Sequence, residues 1–216
     1  MLKVVSLDMD GTLVRSDFVN AVWLEGIPAL YASQYGMDLA EAKRVVFEAY
    51  GSVGEFRKEW YNIGYWFRRF DLKSDWQDLL KSHRHKVDFF PEVEGVVKRL
   101  KDKYSLIIVS NAAEEFLDME LDGMKGHFDH IFSCVSHFDR VKKDASVFNE
   151  VCRRIGVAPG EVCHVGDNYD FDYLAPMSAG IPSCFVDRTA AQDGPFTVRD
   201  LKEFEDRLPS LGGGAP

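Results

Sequence analysis

The segment VVSLDMDGT, residues 4–12, joins a short apolar run to two carboxylates and a glycine. The run Val4–Leu7 is continuous, as expected for a strand that is buried on both faces of a parallel sheet. Asp8 and Asp10 follow it at the carboxyl end, where parallel strands meet the binding crevice. Because they are two residues apart, both carboxylates can face one site, and Gly11 permits a tight turn and the close approach of a ligand.

Four further apolar runs of this kind occur at residues 106–109, 131–135, 162–165 and 183–186. Helical patterns separate them: one apolar stripe follows Pro91, and another ends at Gly156, a typical C-terminal cap. Strands that alternate with helices in this way indicate right-handed βαβ units. We therefore predict an α/β fold with a doubly wound, Rossmann-like parallel sheet.

The stretch from residue 16 to residue 88 shows helix signals and no convincing strand. Capping-box spacing occurs at three pairs, Asp38 with Glu41, Ser52 with Glu55, and Ser74 with Gln77. One helical face is expected to contain Phe56, Trp60, Ile63, Phe67 and Phe70. We predict a catalytic core at 1–15 and 89–208, a four-helix cap at 16–88, and a flexible tail at 209–216.

Composition excludes some classes of function. The chain has 216 residues, with 35 acidic and 26 basic side chains and a net charge of −9, which argues against a nucleic-acid partner. It has no apolar run of 18 residues, so neither a membrane span nor an export signal is expected. The four cysteines lack zinc-ligand spacing, and we interpret them as buried thiols in a reducing, cytoplasmic compartment.

Polar side chains also follow the later strands. They are Ser110 and Asn111 after the second run, Lys142, Lys143 and Asp144 after the third, and Asp167 and Asp172 after the fourth. Each group alone is typical of a helix cap or a solvated turn. Their joint placement on the same sheet edge as Asp8 favours a site for a metal and a phosphate, because a hard divalent cation neutralises neighbouring carboxylates.

These four motifs resemble those of the haloacid dehalogenase superfamily, specifically its phosphatase branch with a helical cap between the first and second motifs. The resemblance implies that Asp8 is the nucleophile and Asp10 the general acid and base. It implies that Ser110 and Lys142 hold the transferring phosphoryl group, and Asn111 is a further candidate phosphate ligand. Lys143 stands where the family usually has proline, and it remains an alternative to Lys142.

The same resemblance implies a Mg²⁺ site formed by the Asp8 carboxylate, the Asp10 backbone carbonyl and Asp167. Asp172 is expected to support the site by orienting Lys142 or a metal-bound water, and a direct contact of Asp172 with the metal is left open. Thr12 and Asn168 are weaker candidates for a supporting role.

The implied activity is a Mg²⁺-dependent phosphomonoesterase that hydrolyses a small phosphorylated metabolite through an aspartyl-phosphate. A dehalogenase has no need of Asp10, because halide leaves without a proton. Three alternatives stay open: a sugar phosphomutase, a phosphonatase that uses Lys43 or Lys58, and a non-catalytic phosphate-binding scaffold. The sequence does not identify the substrate, the cap residues that set specificity, or whether the protein is a monomer or a homodimer.

Overall fold

The computed structural model describes residues 1–142 and 144–211, which contain one parallel sheet of six strands in the order β3-β2-β1-β4-β5-β6. The strands are β1 Val4–Leu7, β2 Ser105–Ser110, β3 His130–Ser133, β4 Val162–Gly166, β5 Ser183–Val186 and β6 Thr197–Val198. All neighbouring strands pair in parallel. The predicted α/β fold with a doubly wound sheet is confirmed.

Helices fill the connections between strands. The α-helices are α1 Asp17–Asn20, α2 Ile27–Tyr35, α3 Leu39–Val53, α4 Ile63–Arg69, α5 Trp76–His83, α6 Val93–Lys101, α7 Glu114–Glu120, α8 Cys134–His137, α9 Ala145–Ile155, α10 Ala175–Ser178 and α11 Leu201–Leu211. Two π-helical turns, Ala21–Gly26 and Tyr169–Leu174, join α1 to α2 and lead into α10. A 3₁₀ turn, Lys58–Tyr61, precedes α4.

Apolar cores cover both faces of the sheet. Val5 and Leu7 of β1 belong to the core that includes residues of α6 and α11, whereas Val4 belongs to the core that includes residues of α9. Successive side chains of a strand point to opposite faces, so a strand that is covered on both sides is apolar throughout. This explains why the runs in the sequence were continuous.

Helices α1 to α5 lie between β1 and α6 in the chain, and their apolar core includes Ile63, Trp66 and Leu80 and extends to Phe116 of α7. The two chain segments that connect them to the sheet run side by side. The Arg15 N–H donates to the Asp88 carbonyl at 2.8 Å, and the Phe90 N–H donates to the Leu13 carbonyl at 3.0 Å. We refer to residues 16–88 as the cap.

The ends of the sheet differ from the prediction. The run at 131–135 is a strand only as far as Ser133, whose hydroxyl accepts the N–H of Ser136 and caps α8. Cys134 and Val135 are therefore helical, and their apolar side chains concealed the strand end. The two-residue strand β6 at the sheet edge was not predicted.

Inside the cap, one capping prediction is confirmed and three details are wrong. Asp38 caps α3 by accepting the Ala40 N–H at 2.8 Å. Ser52 lies within α3, and α5 is capped by Asp75 instead of Ser74. The expected helical face from Phe56 to Phe70 is not one helix, because the Asn62 side chain caps a new helix, α4, at that point.

At the carboxyl terminus, α11 continues to Leu211, so the first three residues of the predicted tail, 209–211, are helical. The rest of the predicted tail lies outside the described residues. All four cysteines are free and buried, as expected. Within residues 1–142 and 144–211, no helix is both long enough and apolar enough to cross a membrane.

Candidate active site

The carboxyl edge of the sheet opens into a cleft of about 250 Å³. Eight of the nine residues singled out in the sequence line it: Asp8, Asp10, Ser110, Asn111, Lys142, Asp167, Asn168 and Asp172. Thr12, the ninth, lies in the first turn and is fully buried. The topology explains this convergence, because β2, β1 and β4 are neighbours in the sheet and all three end at this edge.

Lys142 is the centre of a buried charge cluster. Its ammonium group donates hydrogen bonds to the Asp8 carboxylate and to the Val109 carbonyl, the latter at 3.0 Å. It also lies 2.5 Å from Oδ1 of Asp172. Asp8 is 6% exposed, Lys142 is 2% exposed and Asp172 is fully buried, so solvent contributes little to balancing these charges.

The members of this cluster differ in the direction in which their pKa values are shifted. Burial raises the pKa of Asp8 to about 7, although Lys142 opposes the shift. Burial also acts to raise the pKa of Asp172, but Lys142 and His164 outweigh it and the value falls to about 2. For Lys142, Asp172 and Asp8 outweigh the effect of burial and raise its pKa. Asp172 and Lys142 are thus both charged, whereas burial disfavours the ionised form of Asp8.

Asp172 is fixed by groups other than Lys142. His164 Nε2 lies 3.0 Å from its Oδ1, and the Asn168 N–H donates to its Oδ2 at 2.9 Å. His164 is itself fully buried and pairs with the Ser6 hydroxyl at 2.8 Å, so both of its ring nitrogens have partners. Burial lowers the pKa of His164. These contacts allow Asp172 to orient Lys142.

Asp167 approaches the first turn closely. A Cβ atom at Gly11, where φ is +73°, would lie 2.0 Å from Asp167 Oδ2, so this position requires glycine. Desolvation by the surrounding protein, followed by the charges of Asp8 and Asp172, raises the pKa of Asp167, although its side chain is exposed to the cleft. A cation beside Asp167 would lower that pKa.

Carboxylate oxygens of Asp8, Asp167 and Asp172 lie within 4.8 Å of one another. Because hard oxygen donors at this spacing suit Mg²⁺, the residues present fit the predicted metal. Asp172 is the member already engaged by Lys142 and His164.

Asp10 has an acidic neighbour that the sequence analysis missed. Burial raises the pKa of Asp10 to about 6, and the Glu120 carboxyl of α7 lies against it. Glu120 is 1% exposed, and burial and Asp10 raise its pKa well above the ordinary value. Within the part of the chain that is described, neither Asp10 Oδ1 nor either Glu120 oxygen has a well-formed hydrogen bond. No motif near Glu120 in the sequence indicated that it lies beside Asp10.

Arg188 is a second residue that the sequence analysis missed. Its guanidinium donates to the carbonyls of Gly11 at 3.0 Å and Thr12 at 2.6 Å, and it pairs with Glu92 at 2.8 Å. Arg188 therefore fixes the turn that carries Asp10. Its place in the sequence, far beyond the last motif, gave no signal of this contact.

Three of the remaining predicted residues hold the site together through contacts with backbone groups. Asn111 Oδ1 accepts the Lys142 N–H at 2.8 Å, and the Ser110 hydroxyl accepts the Ala112 N–H at 3.2 Å. Asn168 caps the following π-helical turn, and the Thr12 hydroxyl has no hydrogen-bond partner among the described residues. Lys143, the alternative to Lys142, lies outside those residues.

One short segment of the cap, residues 56–61, contacts the core across the cleft. Phe56 packs against Phe171 with ring centroids 5.2 Å apart, and Lys58 pairs with Asp139. The Asn111 amide lies 3.5 Å from the Tyr61 hydroxyl. The cleft thus lies between the strand ends and the cap.

Comparison with known proteins agrees with this geometry. The family model described as haloacid dehalogenase-like hydrolase matches residues 2–180. The chain is 26% identical to PpaX of Clostridium perfringens, a protein assigned as a pyrophosphatase, over 94% of this chain and 98% of the relative. It is 24% identical to the GMP/IMP nucleotidase YrfG of Escherichia coli, over 77% of this chain and 75% of the relative.

Among solved structures, a HAD phosphatase from Thermococcus onnurineus superimposes with a TM-score of 0.86 at 23% identity, covering 96% of this chain and 98% of the other. This likeness supports the fold. The family match covers most of the chain and all four motifs, from Asp8 to Asp172. The chain therefore belongs to the haloacid dehalogenase-like hydrolase family.

Proposed function

We propose that this hydrolase is a Mg²⁺-dependent phosphomonoesterase that acts on a small phosphorylated substrate through an aspartyl-phosphate. The observation that carries the proposal is the arrangement of two aspartates at one strand end. Asp8 is buried against Lys142, while Asp10, two residues on, has an oxygen without a partner among the described residues. The names of the relatives, a pyrophosphatase and a nucleotidase, support phosphoryl chemistry.

In this mechanism Asp8 attacks phosphorus in line. The bond from phosphorus to the leaving oxygen breaks, and the phosphoryl group is transferred to the Asp8 carboxylate. Lys142 holds Asp8 in place and stabilises the negative charge on the transferring group, together with Ser110 and Asn111. The Asp172–His164 contacts keep Lys142 aimed at the reaction.

Asp10 handles the protons in both steps. In its neutral form it donates a proton to the leaving alkoxide, and as a carboxylate it accepts a proton from the water that hydrolyses the aspartyl-phosphate. A raised pKa, about 6, suits a group that must be present in both forms near neutral pH.

Asp8 and Asp167 would hold Mg²⁺ with the Asp10 backbone carbonyl. When bound, the metal supplies positive charge between the anionic nucleophile and the anionic phosphate. Asp172 is proposed to act on Lys142 and not as a metal ligand, because both of its oxygens are already engaged by Lys142, His164 and the Asn168 N–H.

The cap is proposed to control substrate entry and to exclude water. Its contacts with the core through Phe56, Lys58 and Tyr61 support a closed arrangement over the reaction centre. The four buried free thiols support a reducing compartment such as the cytoplasm.

The alternative activities have less support. A sugar phosphomutase must bind a second phosphate, yet among the described residues that line the cleft Lys142 is the one basic side chain. A phosphonatase would need a cap lysine in the cleft, and neither Lys43 nor Lys58 lines it. A non-catalytic scaffold leaves the pairing of Asp8 with Asp10 unexplained.

The test is release of phosphate from p-nitrophenyl phosphate with Mg²⁺ and with a chelator. Asp8→Asn should lower kcat/KM by more than about 1,000-fold, because the nucleophile is lost. Asp102→Asn, an exposed aspartate beyond α6, is the matched control and should match the wild type. Activity that survives Asp8→Asn, or that needs no divalent metal, would refute the proposal.

A further inference from the structure

Beyond its charged end, the cleft is lined by apolar and aromatic side chains. Val19, Trp23 and Trp60 come from the cap, and Phe116 and Phe171 come from the core. A second cavity, of about 390 Å³, shares both tryptophans with the cleft. Its other lining residues are Asn20, Leu24, Phe47, Tyr50 and Gly51. The two tryptophan side chains therefore stand between the reaction centre and an apolar space within the cap.

Both tryptophans are held by neighbouring aromatic residues. The Trp23 ring stacks on Phe116 with centroids 5.3 Å apart and planes 13° from parallel, and its carbonyl accepts the Tyr50 hydroxyl at 3.2 Å. The Trp60 ring meets Tyr50 edge-on at 5.9 Å, and its carbonyl accepts the Trp66 indole N–H at 3.1 Å. Because both are positioned in advance, little conformational entropy is lost when a ligand packs against them.

The charges lining the cleft favour an uncharged leaving group. Four carboxylates line it, from Asp8, Asp10, Asp167 and Asp172. Within the described part of the chain, Lys142 is their one basic counterpart, and it is already paired with Asp8 and Asp172. A second phosphate on the substrate would meet carboxylates and indole rings with no basic side chain among these residues to receive it.

We propose that the substrate is a phosphate monoester whose leaving group is uncharged and carries an aromatic ring, which packs against Trp23 and Trp60. This substrate class rests on the proposed phosphomonoesterase function. Arylalkyl phosphates and nucleoside monophosphates belong to the class, whereas pyrophosphate and sugar bisphosphates do not. Trp23 and Trp60 are then the residues that determine specificity.

The test uses three substrates that share an ethyl unit and have alkoxide leaving groups: ethyl phosphate, 2-phenylethyl phosphate and the bisphosphate of ethane-1,2-diol. With Mg²⁺ present, kcat/KM for 2-phenylethyl phosphate should exceed that for ethyl phosphate by about 10- to 100-fold, the usual contribution of stacking on an aromatic side chain. The bisphosphate should be hydrolysed no faster than ethyl phosphate.

Variants then assign the preference to the two indoles. Trp60→Ala and Trp23→Ala should each bring the ratio of kcat/KM for 2-phenylethyl phosphate to that for ethyl phosphate close to one, chiefly through KM. Trp60→Phe should keep most of the wild-type ratio. Trp76→Ala is the matched control, because Trp76 packs against the cap core without lining the cleft. Its ratio should equal that of the wild type. Trp60→Leu, which has an apolar side chain without a ring, should also lower the ratio and keeps the test available should an alanine variant not fold.

The outcomes separate the two proposals. Three results would overturn the aromatic subsite but leave the phosphatase activity standing. They are a wild-type ratio near one, a preference for the bisphosphate, and a ratio that Trp60→Ala and Trp23→Ala leave unchanged. Both the subsite and the phosphatase activity would be overturned if folded protein with Mg²⁺ released no phosphate from these three substrates or from p-nitrophenyl phosphate.

Discussion

The two ends of the cleft are built in different ways. The charged end is formed by residues that follow neighbouring parallel strands, and its Asp8, Lys142 and Asp172 are nearly or fully buried. The apolar end is formed largely by Trp23 and Trp60, which lie on a π-helical and a 3₁₀ turn of the cap and are partly exposed.

This difference suggests that the core holds the reacting groups and that the cap holds the residues that select the substrate. The sheet fixes the positions of the charged residues through backbone hydrogen bonds between strands, so the reaction centre is determined by the core. In the proposed mechanism the cap supplies the surface that contacts the leaving group, and its turns can differ without displacing a strand. The predictions below test this division, beginning with the charged end.

The largest effect is expected for Asp10→Asn, which removes the proton donor. We expect kcat/KM for ethyl phosphate to fall by about 100- to 10,000-fold, the usual contribution of a general acid or base. The first half-reaction of p-nitrophenyl phosphate should fall much less, because nitrophenolate leaves without a proton. Equal losses in the first half-reaction of both substrates, measured in single turnovers, would show that Asp10 does not protonate the leaving group.

Gly11→Ala and Gly36→Ala compare the two regions directly. Both glycines have positive φ, +73° and +63°, so each variant should lose about 1–2 kcal/mol of stability. Only at Gly11 does the new Cβ meet a carboxylate, that of Asp167, whereas nothing lies within 4 Å at Gly36.

Gly11→Ala should therefore also weaken Mg²⁺ activation by about 10- to 100-fold, as when other groups that position metal ligands are altered. A Mg²⁺ titration of phosphate release measures this effect. If both variants have the wild-type requirement for Mg²⁺, the position of the Asp167 carboxylate does not depend on Gly11.

Phe56→Ala tests the contact between the cap and the core. Loss of the Phe56–Phe171 pair should raise KM by about 2- to 10-fold with a smaller change in kcat, in keeping with the contribution of one aromatic pair. Tyr35→Ala is the control, because its exposed ring pairs with Tyr31 inside the cap. The idea of cap closure fails if steady-state kinetics are the same for the two variants.

The smallest effect concerns Glu120 and pH. Because its pKa is higher in the folded protein than its ordinary value of 4.5, the contribution of Glu120 to stability is present below that pH and is lost as the pH rises. The glutamine side chain of the Glu120→Gln variant does not titrate. The free energy of unfolding of this variant should therefore increase relative to that of the wild type as the pH rises from about 5 to about 8. Urea unfolding across this range measures the difference, and a constant difference would contradict the assignment.

Much of the core could be predicted from the sequence because its signals are local. Each buried parallel strand is a continuous apolar run, and Asp8 and Asp167 follow theirs directly, so the fold and the place where these two residues converge could be deduced. Lys142 follows β3 only after α8, and its choice over Lys143 rested on the family resemblance. The end of β3 could not, since Cys134 and Val135 continue the apolar run into a helix.

The cap and the supporting residues depended on contacts that a sequence pattern does not contain. Hydrophobic periodicity predicted one helix from Phe56 to Phe70, because it does not register the side-chain cap at Asn62. Arg188 and Glu120 reach the first turn from distant parts of the chain, and neither stands in a motif. Their effect on Asp10 follows from tertiary packing alone.

The central claim is that Asp8 carries the phosphoryl group, and covalent trapping tests it most directly. Asp10→Asn should be mixed with p-nitrophenyl phosphate and Mg²⁺, quenched in acid, and mapped by peptide mass spectrometry. We expect a burst of nitrophenolate close to one equivalent per enzyme and phosphate on Asp8, because hydrolysis of the intermediate lacks its base. Phosphate on another residue, or no burst with phosphate release continuing, would contradict it.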